Sequence, residues 1–480
     1  MSNPKQVETE FNPIKMPAAD VPVAYDADVV VVGAGPSGFA AALKAARMGA
    51  SVIVVEKLDA PGGVHTSGLQ GHASEGIGGI HTELMERFDA HGCIYRANNS
   101  THADWAGNPL SHYERKKSPG DDFVRLSFNP EGSGNVMSIM LDEAGVVALY
   151  DTRYVDCVVE QEGSTDGHIR AIVVENNSGR FAISGRIFVE GSGIGLLAAS
   201  AGVPYVSGGG AQPETADWDG IKRPVPGGLL WTMHGIDLPA LARHQQHAKD
   251  PMLQKAIAEA RAAGDIPEGL YRPGMKGSHV YASMYIGHPT LDMSPMSAEG
   301  SYCLWQNVPY ELGLHMDESG EDNSTATRLL RSYIDAESRF LRKYVPGFDN
   351  ARIGSVGRYV GVRDGRHPIG EHVFTLDDAR NARRFHDAVT YPMKKSFFWD
   401  TYAQYEFEVP YRCFLPKKID NLLLAGASLS FSYETLFMVM RNFPWTTLTG
   451  EIAGFAAARC IEKKIGPKEL EWTAPYGAGG

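Results

Sequence analysis

Three glycines, Gly33, Gly35 and Gly38, are spaced GxGxxG within the run GAGPSG. At that spacing the first permits a tight turn, the second lets a diphosphate touch the backbone, and the third lets a helix pack closely on a strand. Pro36 and Ser37 open the helix, whose first amides are unpaired donors suited to an anion. Glu56 ends the next apolar run, SVIVVEK, where a carboxylate can accept hydrogen bonds from ribose hydroxyls, and Lys57 follows it. The chemistry this set supports is nucleotide binding. A chance glycine turn is the competing reading; the strand before, the helix after and the acid beyond the second strand weigh against it.

Other chemistries find less support. His244 and His247 stand three apart on a predicted helix, but no third ligand follows and HExxH is absent. A solvated helix face accounts for them, and no metal is expected. Neither a G-x-S-x-G elbow nor a GK[ST] loop occurs, so serine-hydrolase and P-loop readings fall away. The five cysteines form no CxxC pair and are too scattered for a disulfide framework, which points to a reduced, intracellular chain.

The 480 residues carry 45 Lys+Arg against 57 Asp+Glu, a net charge of −12. Such acidity repels phosphate backbones and no basic patch stands out, so no nucleic-acid partner is expected. Hydrophobic residues make up 43% and charged residues 21%, an ordinary globular composition. No apolar run reaches the roughly 18 residues that a membrane span needs. The first residues, MSNPKQVETEFNPIKMPAADVP, lack the basic start and apolar run of a signal peptide, so a cytoplasmic location is expected.

The elements that must position the glycine loop are legible nearby. ADVVVVG reads as a strand buried on both faces, FAAALKAARMGA as a helix, and SVIVVEK as a second buried strand. Residues 58–82 read as loop, and 83–135 show no clear period. The runs 146–163 and 169–191 read as a strand meander ending in a buried strand, followed by a short helix over 195–204. From about 206 to 404 the composition shifts towards Pro, Tyr, Trp, His and Met, with helices predicted over 240–263 and 322–344. NLLLAG (421–426) returns to a buried strand, and a helix is predicted from Pro444 through the Ala-rich stretch after it. Pro444 suits the first helical position, which leaves the amides of Trp445 and Thr446 as orphan donors.

With these segments in order, the chain resembles the flavoproteins of the glutathione-reductase-like fold, the broad FAD-dependent oxidoreductase group, related to fumarate-reductase-type flavoproteins. PGGVHTSG (61–68), RIFVEGSGIGLLAASAGVP (186–204), GVRDGRHPIGEHVFT (361–375), VPYRCFLPKKIDNLLLAGASLS (409–430) and RNFPWTTLTGEIAG (441–454) carry the resemblance beyond the first glycine loop. Two departures concern substrate contacts: Ala427 stands where arginine is common, and one extra residue separates Glu434 from Arg441.

The resemblance implies an α/β fold: a Rossmann-like FAD-binding domain with an inserted mixed α+β substrate domain. The FAD-binding part would comprise 26–85, 145–205 and 405–465. The insertion would comprise 86–144 and 206–404, with an arm over 1–25 and a tail over 466–480. FAD would be held by Gly33, Gly35, Pro36, Ser37, Gly38, Glu56, Lys57, Gly63, Val64, His65, Thr66, Ser67 and Val155. Gly191, Ser192, Gly193, Gly426, Trp445 and Thr446 would complete that set. The C-terminal helix would point its positive end at the flavin ring.

His65-Thr66 is similar to a pair that carries a covalent flavin bond in fumarate-reductase-like relatives, although the flanking glycines favour a non-covalent, flavin-proximal role. Substrate chemistry would fall to Arg366, His367, Glu434, Arg441 and His65. Arginine there would hold a carboxylate or enolate, and an acid or imidazole would move the accompanying proton. An Arg–carboxylate network that merely clamps two parts of the chain is the competing reading.

The expected function is hydride transfer between a small polar organic substrate and the flavin. Reduction of an activated C=C bond is the alternative, and a tRNA-modifying flavoprotein is disfavoured by the acidic balance. A small molecule is the expected partner, and assembly with further copies of the chain stays open. No second GxGxxG unit with its acid follows, so nicotinamide is expected to be a poor reductant.

Overall fold

The computed structural model describes residues 20–74, 78–95, 125–161, 166–207, 227–247, 254–267, 269–270, 294–297, 301–309, 312–363, 365–390, 393–394, 406–432, 435, 442–473 and 475–476. It opens with strand β1 (Val23–Val32), helix α1 (Pro36–Arg47) and strand β2 (Val52–Val55). Val29 to Val32 are almost fully buried, as a β-branched run sandwiched between helices must be. Helices α2 (Gly79–Ala90) and α3 (Pro130–Glu143) follow, then strand β3 (Val147–Leu149). Strands β4 (Arg153–Glu160), β5 (His168–Asn176) and β6 (Gly179–Glu190) make an antiparallel meander. Helix α4 (Leu196–Ser200) and strand β7 (Tyr205–Ser207) come next.

A second group begins at strand β8 (Gly228–His234), helix α5 (Leu238–His247) and helix α6 (Gln254–Ala262). Strands β9 (Ser294–Ser297) and β10 (Ser301–Asn307), helix α7 (Gly320–Tyr344) and strand β11 (Arg352–Val356) continue it. The chain closes with strand β12 (Arg366–Pro368), strand β13 (Leu422–Leu424) and helix α8 (Phe443–Lys463).

The larger sheet is parallel in the order β3-β2-β1-β6-β13, and β6 is long enough to serve the β4–β5 meander as well. Val32 and Leu424 both pair with Glu190, so β1, β6 and β13 end level, at one edge of the sheet. This is an α/β Rossmann-like fold. The second sheet is antiparallel in the order β9-β10-β8-β11. Its core gathers Trp231, Leu330, Ile334, Phe340 and Phe348, all from 229–362.

Three expectations meet the structure differently. Phe88, Val136, Met137, Met140 and Leu141 from α2 and α3 join the core of the parallel sheet, as do Phe374, Val389 and Phe407. The described parts of 86–144 and 372–404 therefore pack with the first sheet. The run 146–163 divides at a turn into β3 and β4, which lie at opposite edges of the sheet. The helix predicted over 240–263 falls on α5 and α6, with 248–253 outside the described residues.

Asp387 and Arg412 fasten the approach to β13. Asp387 is buried and accepts from Arg412 Nε at 2.9 Å, Nη2 at 3.2 Å and the backbone amide at 3.1 Å. Burial works to raise the carboxyl, but the Arg412 contacts hold it below its ordinary value. A depressed carboxyl contributes stability above its unfolded value, about pH 4, and loses it as pH falls through the folded value. Arg412 is half exposed, which screens the pair. We expect Asp387→Asn to cost about 1–2 kcal/mol at neutral pH. Thermal melts from pH 8 downwards should show the gap from wild type beginning to narrow below about pH 4 and closing only as pH falls through the depressed folded value, where Asp387 is protonated as well. A gap that does not change with pH would contradict this assignment.

Candidate functional site

β1 is followed directly by Gly33, whose φ of +90° starts the turn into α1. A Cβ on Gly33 would stand 2.7 Å from Gly191 O, and one on Gly38 would stand 1.8 Å from Gly33 O, so the turn is closed against its own backbone and the end of β6. Gly35 differs. A Cβ there would meet only Gly191 O, at 3.8 Å, so the space beyond Gly35 is open. The Gly35 and Ser37 amides donate to no acceptor among the described residues, and Pro36 occupies the first helical turn. An open backbone with unpaired donors at a helix start is what a diphosphate requires.

Glu56 is buried at the end of β2, where it accepts from the amides of Ala34 at 2.7 Å and Leu58 at 3.0 Å. The carboxylate therefore pins the glycine loop, a role beyond the ribose contact expected of it. Burial pushes its carboxyl up despite those two amides. Lys57 is exposed, with its ammonium 5.1 Å from the Tyr359 ring centroid.

The loop after β2 folds back on this cradle. Gly62 N donates to Ala34 O at 2.7 Å, and a Cβ on Gly63 would lie 3.2 Å from Gly35 Cα. Val64 packs towards Gly361, and Thr66 Oγ1 donates to Pro61 O at 2.5 Å. Ser67 Oγ is buried with no hydrogen-bond partner among the described residues, a polar atom suited to a bound group. His65 is buried and stacked on Phe443 at 4.2 Å between centroids, with Nδ1 3.0 Å from Gln70 O.

The second segment enters from β6. Glu190 is fully buried and accepts from the amides of Ser192 at 2.8 Å, Leu197 at 2.7 Å and Ala198 at 3.1 Å. Burial raises its carboxyl, while the amides work the other way. Gly191 lies against Gly33, and Gly193 and Gly195 continue the turn. Gly195 N donates to Ser428 Oγ at 3.1 Å, which joins this turn to the loop after β13.

Gly426 begins that loop. Its amide donates to Thr449 Oγ1 at 3.2 Å, and its Cα abuts Ser37. Gly450 touches the Ser37 backbone and Gly454 the Ala41 backbone, so α1 and α8 run parallel with both N-termini at one end. The first turn of α8 corrects one expectation. The helix starts at Phe443, so Pro444 is its second residue, and Thr446 N donates to Asn442 O at 2.9 Å instead of standing unpaired. Trp445 is buried and stacked on Phe407.

Val155 sits at a bulge in β4, where it pairs with no residue of β5, and the residue is 42% exposed. Arg366 and His367 lie on β12, which pairs with β7. Arg366 Nη1 donates to Ile194 O at 3.4 Å and Nη2 to Asp317 O at 3.0 Å, with Nε 3.7 Å from Glu318 Oε1. Its fork thus ties the turn after β6 to the loop before α7, as a clamp would. His367 is buried. Glu434 and Arg441 lie outside the described residues. Tyr359 was not singled out from the sequence, since no spacing rule marks it.

Among the described residues no cluster of His, Cys, Asp and Glu could hold a metal ion, and no helix is long and apolar enough to cross a membrane. The glycine cradle, the acid at the end of β2 and the level strand ends define a dinucleotide-binding protein of the Rossmann class. Residues 28–475 match the family described as FAD dependent oxidoreductase, and the chain belongs to that family.

A dihydrolipoyl dehydrogenase from Manduca sexta is 56% identical over 39 residues, 8% of this chain and 8% of that protein. Mitochondrial dihydrolipoyl dehydrogenase of Cricetulus griseus is 51% identical over 45 residues, 9% of this chain and 8% of that one. The chain thus matches only a small part of these curated relatives. Among solved structures, a geranylgeranyl bacteriochlorophyll reductase-like protein from Thermoplasma acidophilum is 13% identical, at TM-score 0.43, over 92% of this chain and 80% of that one. The p-nitrophenol 4-monooxygenase of Pseudomonas putida DLL-E4 is 13% identical, at TM-score 0.43, over 93% of this chain and 83% of that one. The family match, not these loose superpositions, identifies the chain.

Proposed function

We propose that this FAD oxidoreductase has a glutathione-reductase-like cofactor domain and passes hydride between a small polar organic substrate and FAD. The observation that carries the reading is the open backbone at Gly35, with the unpaired amides of Gly35 and Ser37 beside it. When bound, FAD supplies the ring that exchanges hydride. The chain's own part is to bind and orient it. Glu56 fixes the loop, Gly35 and Ser37 offer amides to the diphosphate, and the parallel α1 and α8 present their positive ends on one side. The chain would work on a small molecule in the cytoplasm, without nucleic acid or membrane partners.

The protein should purify yellow and release FAD on heating. Anaerobic titration with a panel of small polar acids, alcohols and amines should find a compound that bleaches the flavin. NADH and NADPH should reduce it slowly, because no second glycine-and-acid unit was read in the chain. Rapid stoichiometric bleaching by NADH in stopped-flow absorbance would overturn that part.

On the substrate side the proposal includes Arg366, His367, Glu434, Arg441 and His65. Arg366 is the testable member. Arg366→Lys cannot reproduce the planar fork, so flavin loading should persist while bleaching by substrate slows about tenfold or more. Unchanged bleaching kinetics in the flavin-loaded variant would leave Arg366 as a clamp between segments.

A further inference from the structure

Tyr359 belongs to the stretch joining β11 to β12, in the part of the chain that builds the second sheet, yet it reaches the glycine cradle. A Cβ on Gly63 would stand 3.5 Å from Tyr359 Oη and 3.2 Å from Gly35 Cα, which places the hydroxyl at the rim of the open space beyond Gly35. The stretch is fastened on both sides of Tyr359. Arg358 N donates to Ser67 O at 3.0 Å, on the loop that folds over the cradle. Gly357 N donates to Leu230 O at 2.8 Å and Gly361 N to Gly228 O at 2.8 Å, both on β8. The Arg358 guanidinium pairs with Asp59 and lies 3.8 Å from Glu131, so the strap is tied to the first core by charge as well.

The hydroxyl held there has no hydrogen-bond partner among the described residues. Burial, and after it the nearby Glu56 carboxylate, push the phenol above its ordinary value. It therefore stays protonated and keeps a hydrogen to donate to an anion. Lys57 covers the ring face, adding positive charge beside the same space. A tyrosine that served only to pack under Lys57 would need its ring and not its hydroxyl.

We propose that the Tyr359 hydroxyl donates a hydrogen bond to the diphosphate of bound FAD, so that a strap from the second sheet closes the cofactor groove. This rests on the FAD reading above. Hydrogen bonds to charged phosphate oxygens are among the stronger ones, and the strap gives the donor little freedom to lose.

The test is Tyr359→Phe, which keeps the ring over Lys57 and removes one oxygen. Apoprotein would be prepared from wild type and variant, checked for equal melting temperature, and titrated with FAD, ADP and adenosine. We expect the Kd for FAD and for ADP to rise by a common factor of about 10, FAD release to quicken accordingly, and adenosine binding to stay unchanged. Variant affinities for FAD and ADP equal to those of wild type would overturn the proposal alone. A loss of adenosine affinity as large as that for ADP would also overturn it, because the hydroxyl would then be reading the ribose. A wild-type protein that takes up neither FAD nor ADP would overturn the cofactor reading itself, and this inference with it.

Discussion

A Gly35→Val protein should fold, melt with the wild-type apoprotein, and purify colourless. Gly35 has an ordinary backbone conformation for an L-residue, with φ −59° and ψ 179°. The nearest atom to a Cβ there is Gly191 O at 3.8 Å, an ordinary van der Waals contact. The protein itself therefore leaves the first side-chain carbon at this residue free of close contact. What loses room is the diphosphate, which must approach the backbone at this residue to reach the Gly35 and Ser37 amides. Those charge-assisted contacts would be lost together, and each is worth about 1.5–3 kcal/mol. We expect FAD affinity to fall by at least about 100-fold. Fluorescence titration of apoprotein with FAD, beside a melting curve of the apo form, checks both halves. Full flavin occupancy in a folded Gly35→Val protein would refute the site, and an unfolded apoprotein would refute the claim that the space beyond Gly35 is empty of protein.

The cradle was legible because its signal is local. Strand, glycine spacing, helix and terminal acid fall within one β-α-β unit, where each residue's role is set by neighbours a few positions away. The rest of the site depends on pairings made across hundreds of residues. Tyr359 reaches Gly63, beside Gly35, only because its strap is bonded to both Ser67 and β8. Arg366 meets Ile194 because β12 pairs with β7. Helices α2 and α3 carry too weak a period for their core partners to be read, although Phe88 and Met137 are fully buried. Pro444 fits either of the first two positions of α8 and only the Asn442 carbonyl decides between them, so the helix begins one residue earlier than the proline alone suggests. The position of Glu56 suggests a ribose ligand. That it holds the amides of Ala34 and Leu58 depends on how the loop curls back, which spacing does not encode.

Gly450→Ala tests the device that keeps the two helix starts together. Alanine in a helix interior is favoured over glycine by about 1 kcal/mol, so propensity alone predicts a more stable protein. Contact predicts the reverse. A Cβ on Gly450 would lie 2.1 Å from Ser37 O and 2.6 Å from Ser37 Cα, far inside the 3.4–4 Å of ordinary contact. Both are backbone atoms of α1, so no side chain can rotate away, and one turn on, Gly454 meets the Ala41 carbonyl in the same way. The helices must part by roughly 1 Å, which opens the core they share; overpacking of this kind costs about 1–3 kcal/mol and occasionally more. Steric cost should win by about 2 kcal/mol, lowering the melting temperature by about 2 °C in a chain of 480 residues. Because Ser37 belongs to the cradle proposed for the diphosphate, FAD affinity should fall as well, unlike the pure binding loss of Gly35→Val. Gly320→Ala is the internal control. It stands at the start of α7, where a Cβ meets nothing within 4 Å, so it should be neutral or slightly stabilising. Equal melting temperatures for Gly450→Ala and Gly320→Ala would show that α1 and α8 do not touch backbone to backbone, and that their N-termini are not held side by side.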